Sequence, residues 1–338
     1  MNNMFLYQRQ GFILIFAIWV LGFLTILAVG IAAGIRQKIV VLEKLDQRDR
    51  LIHLLEGAVQ YSAVYVSDQL NKSAGFYNVN VKMNLHNNGN DFGQFNLAED
   101  NASINYTLVD QGEYFGVIDE ERKINLNTTN ESILTRLIER VLNLRPEVAA
   151  TVARDLLDWR QFGESQAKGF FSDEYYSNLN YPYPKKDSNY ETLDELLLVK
   201  GMNEEIYGKL INYVTIYGDG KININTASAE VLYALGLDDL VVEKILEVRQ
   251  GKDKLDATED DHIFLKTFDV ATEINTAIKL LPAEARSIDA LNQKSLLTTV
   301  SYYFTVSARA QLAHSSFVKS VRAIISSREN RIVYWQER

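Results

Sequence analysis

The chain has no cysteine in 338 residues, which excludes disulfides and thiolate metal sites and is compatible with an oxidising compartment. It is short of histidine as well. His53, His86, His262 and His314 have no metal-ligand spacing, and no serine sits in a nucleophile elbow, so the sequence offers no assembled catalytic motif. Carboxylates are plentiful, and counting alone leaves a paired-acid hydrolase open. Basic residues are outnumbered, 35 Lys and Arg against 44 Asp and Glu for a net charge of −9, which argues against a sequence-independent grip on nucleic acid. Only four prolines, 47% apolar residues and 23% charged residues make a globular composition with room for two modest domains.

Charge is missing altogether from Phe12 to Ile35, enough residues to cross a bilayer as a helix. A short polar leader ending Arg9-Gln10-Gly11 precedes this run, which is longer than the apolar core of a secretory signal peptide. The layout resembles type IV pilin-like precursors, which the prepilin peptidase cuts after a glycine. The resemblance makes Gly11 and Phe12 the processing residues, with Phe12 the first residue of the mature chain, which the family usually methylates. An uncut signal anchor is the alternative. Pilin-like proteins generally carry glutamate at mature position five, and Phe16 stands there. A carboxylate in hydrocarbon is costly unless paired, and in pilins it is thought to meet the terminal amine of the subunit above. A tip subunit has nothing above it, so the missing acid suits the tip. Arg36, Lys38, Lys44, Arg48 and Arg50 follow the span while Arg9 alone precedes it, a bias that places the bulk of the chain in the cytoplasm. The pilin-like resemblance places it outside, and long domains translocate with limited regard to charge.

Beyond the span, Ile39, Leu42, Leu45, Ile52, Leu55, Val59, Val66 and Leu70 keep a helical period, which predicts one helix to about residue 70. Alternation at Ile104, Tyr106 and Leu108, then Phe115 and Val117, predicts strands before a large middle segment. Tyr302, Phe304, Val306 and Ala308, then Val321, Ala323 and Ile325, then Ile332 and Tyr334, predict strands after it. The expected fold is α+β, a long helix on a four- or five-stranded antiparallel sheet interrupted by an all-α insertion. Asn87 to Asp91 is expected to be a loop.

The insertion contains a repeat: Lys123-Ile124-Asn125-Leu126-Asn127-Thr128 recurs 98 residues later as Lys221-Ile222-Asn223-Ile224-Asn225-Thr226. Thr128 and Thr226 are expected to cap the helices that follow, with Glu131 completing a capping box in the first copy. Each copy leads into a helix-hairpin-helix unit, and a third such hairpin runs from Glu195 through Lys200-Gly201-Met202-Asn203 to Val214. Such units often bind DNA backbones through glycine-rich hairpins. Here Leu237-Asp238-Asp239 and Asn203-Glu204-Glu205 set carboxylates where phosphates would approach, which favours a packing module for protein partners.

Taken together, the chain resembles the K class of type II secretion minor pseudopilins. The carriers are Gln10-Gly11-Phe12 without an acid at position five, Ile118-Asp119-Glu120 before the first repeat, Asp155 to Arg160, Thr192 to Met202, and Tyr217-Gly218-Asp219-Gly220 leading into the second repeat. The resemblance implies a leader at 1–11, a membrane-spanning part of the helix at 12–35, a pseudopilin domain at 36–121 and 286–338, and a helical insertion at 122–285. It implies a non-enzymatic role at the pseudopilus tip. The implied partners are the I-class and J-class minor pseudopilins, the major pseudopilin, the inner-membrane secretion platform and the prepilin peptidase, with no nucleic acid. A single-pass inner-membrane location with the C-terminal domain in the periplasm follows. A minor pilin of a type IV pilus, or an anchored DNA-binding protein of an uptake system, are the alternatives. Family members can bind calcium in acidic loops after the Asp-Trp motif, which makes Asp158, Glu164, Asp173 and Glu174 candidate ligands, although Gln161 stands where an acid is common. The plain alternative there is a solvated acidic loop. Asp260-Asp261-His262 is expected to cap the next helix or face solvent.

Overall fold

The structure, a computed structural model, describes residues 5–72, 94–97, 100–108, 112–115, 117–160, 172–254, 260–313 and 315–337. The loop expected at Asn87 to Asp91 lies outside them. Helix α1 (Phe5–Lys72) is 68 residues long, about 100 Å at 1.5 Å per residue. Strands β1 (Gln94–Leu97), β2 (Asp100–Leu108), β3 (Gly112–Phe115) and β4 (Val117–Asp119) follow. A 3-10 turn, Glu120–Arg122, then leads into β5 (Ile124–Asn125), α2 (Glu131–Leu142), α3 (Pro146–Arg160) and α4 (Ser172–Ser177). A 3-10 turn at Leu193–Leu198 precedes α5 (Glu204–Leu210), β6 (Val214–Thr215) and β7 (Ile222–Asn223). Next are α6 (Ala229–Ala234), α7 (Asp239–Arg249), α8 (Val270–Ala277), α9 (Pro282–Gln293) and β8 (Leu297–Thr298). The chain closes with β9 (Tyr303–Gln311), β10 (Val318–Ser326) and β11 (Arg331–Glu337).

The main sheet is antiparallel, in the order β1-β2-β9-β10-β11, with β3 beside β2 and β4 beside β9. It has seven strands rather than four or five. The surplus arises because one edge of β9 is shared: Ala308 to Gln311 pair with β2, and Phe304 to Val306 pair with β4. Alternation along β9 and β10 turns Phe304, Val306, Ala308, Val321, Ala323 and Ile325 to one face, where α1 lays Leu51, Leu54, Leu55, Ala58, Val59 and Val66 on them. These α1 residues recur at threes, fours and sevens, the helical stripe a sheet needs. The stripe does not extend to Ile39, Leu42 and Leu45, which are exposed, because α1 projects past the sheet before Leu51.

Residues between β4 and β9 pack around a second core of their own. Here β5 lies parallel to β6 and β7 parallel to β8. Each copy of the repeat therefore opens a unit whose end returns to lie beside its beginning. The first unit holds α2–α3 and then the Leu193–Leu198 turn with α5, and the second holds α6–α7 and then α8–α9. The body thus contains a fourth hairpin, α8–α9, beyond the three marked in sequence; its connection, Ile278-Lys279-Leu280-Leu281, has no glycine to mark it. Helix α9 straddles residue 285, and Ile288, Leu291 and Leu297 belong to the helical core. The helical body accordingly runs on to about residue 300 instead of stopping at 285.

The caps also differ from expectation. Asn130, not Thr128, caps α2 by accepting from the Ile133 N–H at 3.0 Å, and Ser228, not Thr226, caps α6 by accepting from Val231 at 3.5 Å. Glu131 is then the first residue of α2 and not the far corner of a capping box. Two extra turn residues after each threonine, stabilised by Asn125 and Asn223 accepting from the N–H two positions on, delay each helix start.

Candidate functional site

From Phe12 to Ile35 the chain lies wholly within α1, with its apolar side chains facing outward; Phe12 is 72% and Phe16 63% exposed. At 1.5 Å per residue this stretch is about 36 Å long, sufficient for a hydrocarbon core of about 30 Å. Thr25, its one hydroxyl, donates to the Gly22 carbonyl at 2.7 Å, so its polar group is satisfied inside the helix. By length and composition this stretch is long and apolar enough to cross a membrane once. Gly11 and Phe12 are consecutive residues of the same helix, ahead of any sheet contact.

The opposite end of the molecule is organised by three successive acids where the chain enters the helical body. Asp119, Glu120 and Glu121 are 1%, 0% and 5% exposed. Asp119 ends β4 and accepts from Glu121 N–H at 2.7 Å, from the hydroxyls of Thr226 and Ser301 at 2.6 Å each, and from Asn223 Nδ2 at 3.0 Å. Glu120 takes Lys123 Nζ, Thr215 Oγ1 and Thr305 Oγ1, each at 2.6 Å. Glu121 Oε2 accepts from the Tyr302 N–H. One acid thus binds the second repeat unit, one joins the first unit to β9, and one holds the exit strand. Burial pushes Glu120 up, but the charge of Lys123, its hydrogen bond and the two hydroxyls prevail and hold the carboxyl below its ordinary value. Burial pulls Lys123 down against the attraction of Glu120. Gly218 closes the seam: its φ is +85°, and a Cβ there would lie 2.8 Å from Glu121 Cγ. Sequence reasoning singled out Ile118-Asp119-Glu120 and Tyr217-Gly218-Asp219-Gly220 separately; the structure brings them together.

The calcium candidates are not assembled among the described residues. Asp158 Oδ1 lies 3.4 Å from Lys185 Nζ, which also sits 2.9 Å from Asp187, so this carboxylate is paired with an ammonium. Glu174 is exposed, Asp173 is placed only by its backbone in α4, and Glu164 lies outside the described residues. Asp253, Asp260 and Asp261 form a separate group with carboxylate oxygens within 4.8 Å of one another. Asp260 caps no following helix: its Oδ2 accepts from the backbone of Lys252 at 2.7 Å and Asp253 at 3.3 Å, fastening the loop after α7. His262 pairs with Glu273 at 2.6 Å.

A family model for type II secretion system (T2SS), protein K, matches residues 95–219, from β1 through the seam acids and the first repeat unit to the start of the second. This stretch is similar to the protein K family. A chain of the crystal structure of the GspK-GspI-GspJ complex from the enterotoxigenic Escherichia coli type 2 secretion system shares the fold, with a TM-score of 0.56 at 18% identity over 86% of this chain and 99% of that one. No curated protein sequence matches.

Within the protein K region and beyond it, the hairpins present acid or spend it internally. Asp239 pairs with Arg140 at 2.9 Å, and Glu205 with Lys209 at 2.7 Å. Each of these hairpins thus sets a carboxylate beside the cation that could meet a phosphate. His53 and His262 each pair with a glutamate, at 3.1 and 2.6 Å, while His86 and His314 lie outside the described residues.

Proposed function

We propose that this chain is a minor pseudopilin at the tip of a type II secretion pseudopilus, where it starts or caps assembly. The observation that carries the reading is the protein K match across residues 95–219. In this reading the leader 1–11 is removed between Gly11 and Phe12 by the prepilin peptidase, 12–35 holds the inner membrane, and the sheet and helical body stand in the periplasm. The absence of an acid from Phe12 to Ile35 supports a subunit with nothing stacked above it. The helical body supports it too, because its bulk beyond the sheet would obstruct a subunit placed above. I-class and J-class minor pseudopilins are the partners expected beside it, with the major pseudopilin and the inner-membrane platform below.

Membrane extracts from cells with and without prepilin peptidase provide the test, read by intact mass and N-terminal analysis of the full chain. A chain beginning at Phe12 only when the peptidase is present, co-purifying with other minor pseudopilins, is the expected result. A chain beginning at Met1 in both strains, or normal export of secreted proteins after its removal, overturns the reading.

A further inference from the structure

Three adjacent carboxyls in a dry seam require compensation, and Lys123 is the one cation buried with them, bound to Glu120. Asp119 and Glu121 are left to divide what remains. Burial pushes Asp119 up, but it accepts four hydrogen bonds, one at Oδ1 and three at Oδ2, and those donors favour its ionised form. Ser301 has one hydroxyl hydrogen, and it points to Asp119 at 2.6 Å, while Asn223 Nδ2 donates to Ser301 Oγ at 2.8 Å. Against those four donors, the Glu121 carboxyl accepts from the Tyr302 N–H, with the Ser301 hydroxyl a lesser influence that favours its ionised form. Of the two carboxyls, Glu121 is therefore the less well supplied with donors and, among the described residues, has no cation of its own in the seam.

We propose that Glu121 is held as a neutral acid in the seam and that its ionisation loosens the hold of the helical body on the sheet, making the junction a proton-linked latch. All the charged neighbours fit this. Asp119 and Asp219 face Glu121 with negative charge, and Lys221 is drawn off by Asp219 at 2.8 Å. Arg122 on the entering turn acts on Asp119, and Arg322 of β10 faces Lys123. Burial first and the Asp119 charge second push Glu121 up from 4.5 to about 8. Ionised, Glu121 would place a second negative charge beside Asp119 in a buried seam.

The folded-state value is raised, so the contribution is complete below about 4.5 and is lost as pH rises to about 8, beyond which it is flat. In the closed seam the carboxyl keeps its proton; in an opened one it gives it up. Opening should therefore become up to about tenfold easier per pH unit across that window.

Full-length protein in detergent micelles gives two readouts. Infrared difference spectra between pH 6 and 10 should show a protonated carboxyl lost with a midpoint near 8, present in wild type and absent in Glu121→Gln. The amide protection factor at Tyr302 should fall between about pH 5 and 8 in wild type and stay level in Glu121→Gln, whose amide keeps both the donor and the acceptor. Equal pH dependence in the two proteins overturns the latch. Should the glutamine variant fail to fold, the infrared titration of wild type decides alone: no carboxyl titrating between about 7 and 9 overturns it.

Discussion

Arg160 and Arg249 are counterparts in the two repeat units. Each ends the second helix of its first hairpin and turns its guanidinium back onto the repeat: Arg160 donates to the carbonyls of Leu126 and Thr129, Arg249 to those of Ile224 and Ala227, carbonyls displaced by the same 98 positions. Arg249 is buried, so Arg249→Met leaves two carbonyls and a dry site without their charged donor. The expected loss is about 2–4 kcal/mol, from charge-assisted hydrogen bonds of about 1.5–3 kcal/mol each with partial relaxation. Arg140, exposed and paired with exposed Asp239, is the control: Arg140→Ala should cost under about 1 kcal/mol. Chemical denaturation of the full chain in detergent measures both, and similar losses for the two would contradict the assigned roles.

Glu120→Gln strands Lys123 in the seam. Breaking a fully buried ion pair from one side costs about 3–5 kcal/mol, because the remaining charge stays desolvated. Lys123 would then shed its proton more easily than in wild type, since the glutamate that holds its value up is gone. The variant should accordingly regain part of its stability as pH rises from about 7 to 10. A loss below about 1 kcal/mol, or a variant indifferent to pH in that range, would show that the pair does not hold the seam.

The apolar stripe of α1 from Leu55 to Val66 and the alternation of β9 and β10 were legible in the sequence because each element buries one face against a uniform neighbour. The repeat was legible for another reason: Asn125 and Asn223, like Asn127 and Asn225, have side chains that serve the backbone, and that duty tolerates little change in residue type. What escaped was set by long-range contact. Thr226 has the composition of a helix cap, yet its hydroxyl is claimed by Asp119, 107 positions away. The two-residue strands β5 to β8 carry no periodicity at all and exist because the chain returns beside itself. Lys185 next to Asp158 is likewise invisible without the fold.

Gly218→Ala tests whether the seam admits any added atom. The residue sits at φ +85°, which costs an L-residue about 1–2 kcal/mol by itself. Its new methyl would also meet Glu121 Cγ at 2.8 Å, so the total should exceed that range. Gly208, in helical α5 with open space around it, should gain up to about 1 kcal/mol from the same change. Thermal unfolding of both variants in detergent separates the cases, and equal shifts would remove the steric argument.

Asn225→Asp should be worse than Asn225→Ala, although it is the smaller change in shape. Asn225 Nδ2 donates to the Phe264 carbonyl at 2.9 Å while its Oδ1 accepts from the Phe264 N–H at 2.8 Å, and Asn127 makes the same two-way bridge to Tyr190 in the first unit. Alanine leaves the buried N–H and carbonyl of Phe264 without these partners, at about 1–3 kcal/mol each before relaxation or water entry. Aspartate keeps the acceptor but replaces the donor with an oxygen facing a carbonyl, and adds a buried charge. That carboxyl would bind its proton more tightly folded than unfolded, so the aspartate variant alone should recover stability as pH falls from about 7 toward 5. Melting temperatures across that range decide the matter: a flat aspartate profile, or an alanine variant less stable than the aspartate one at pH 7, would mean that the bridge to Phe264 is replaceable by water.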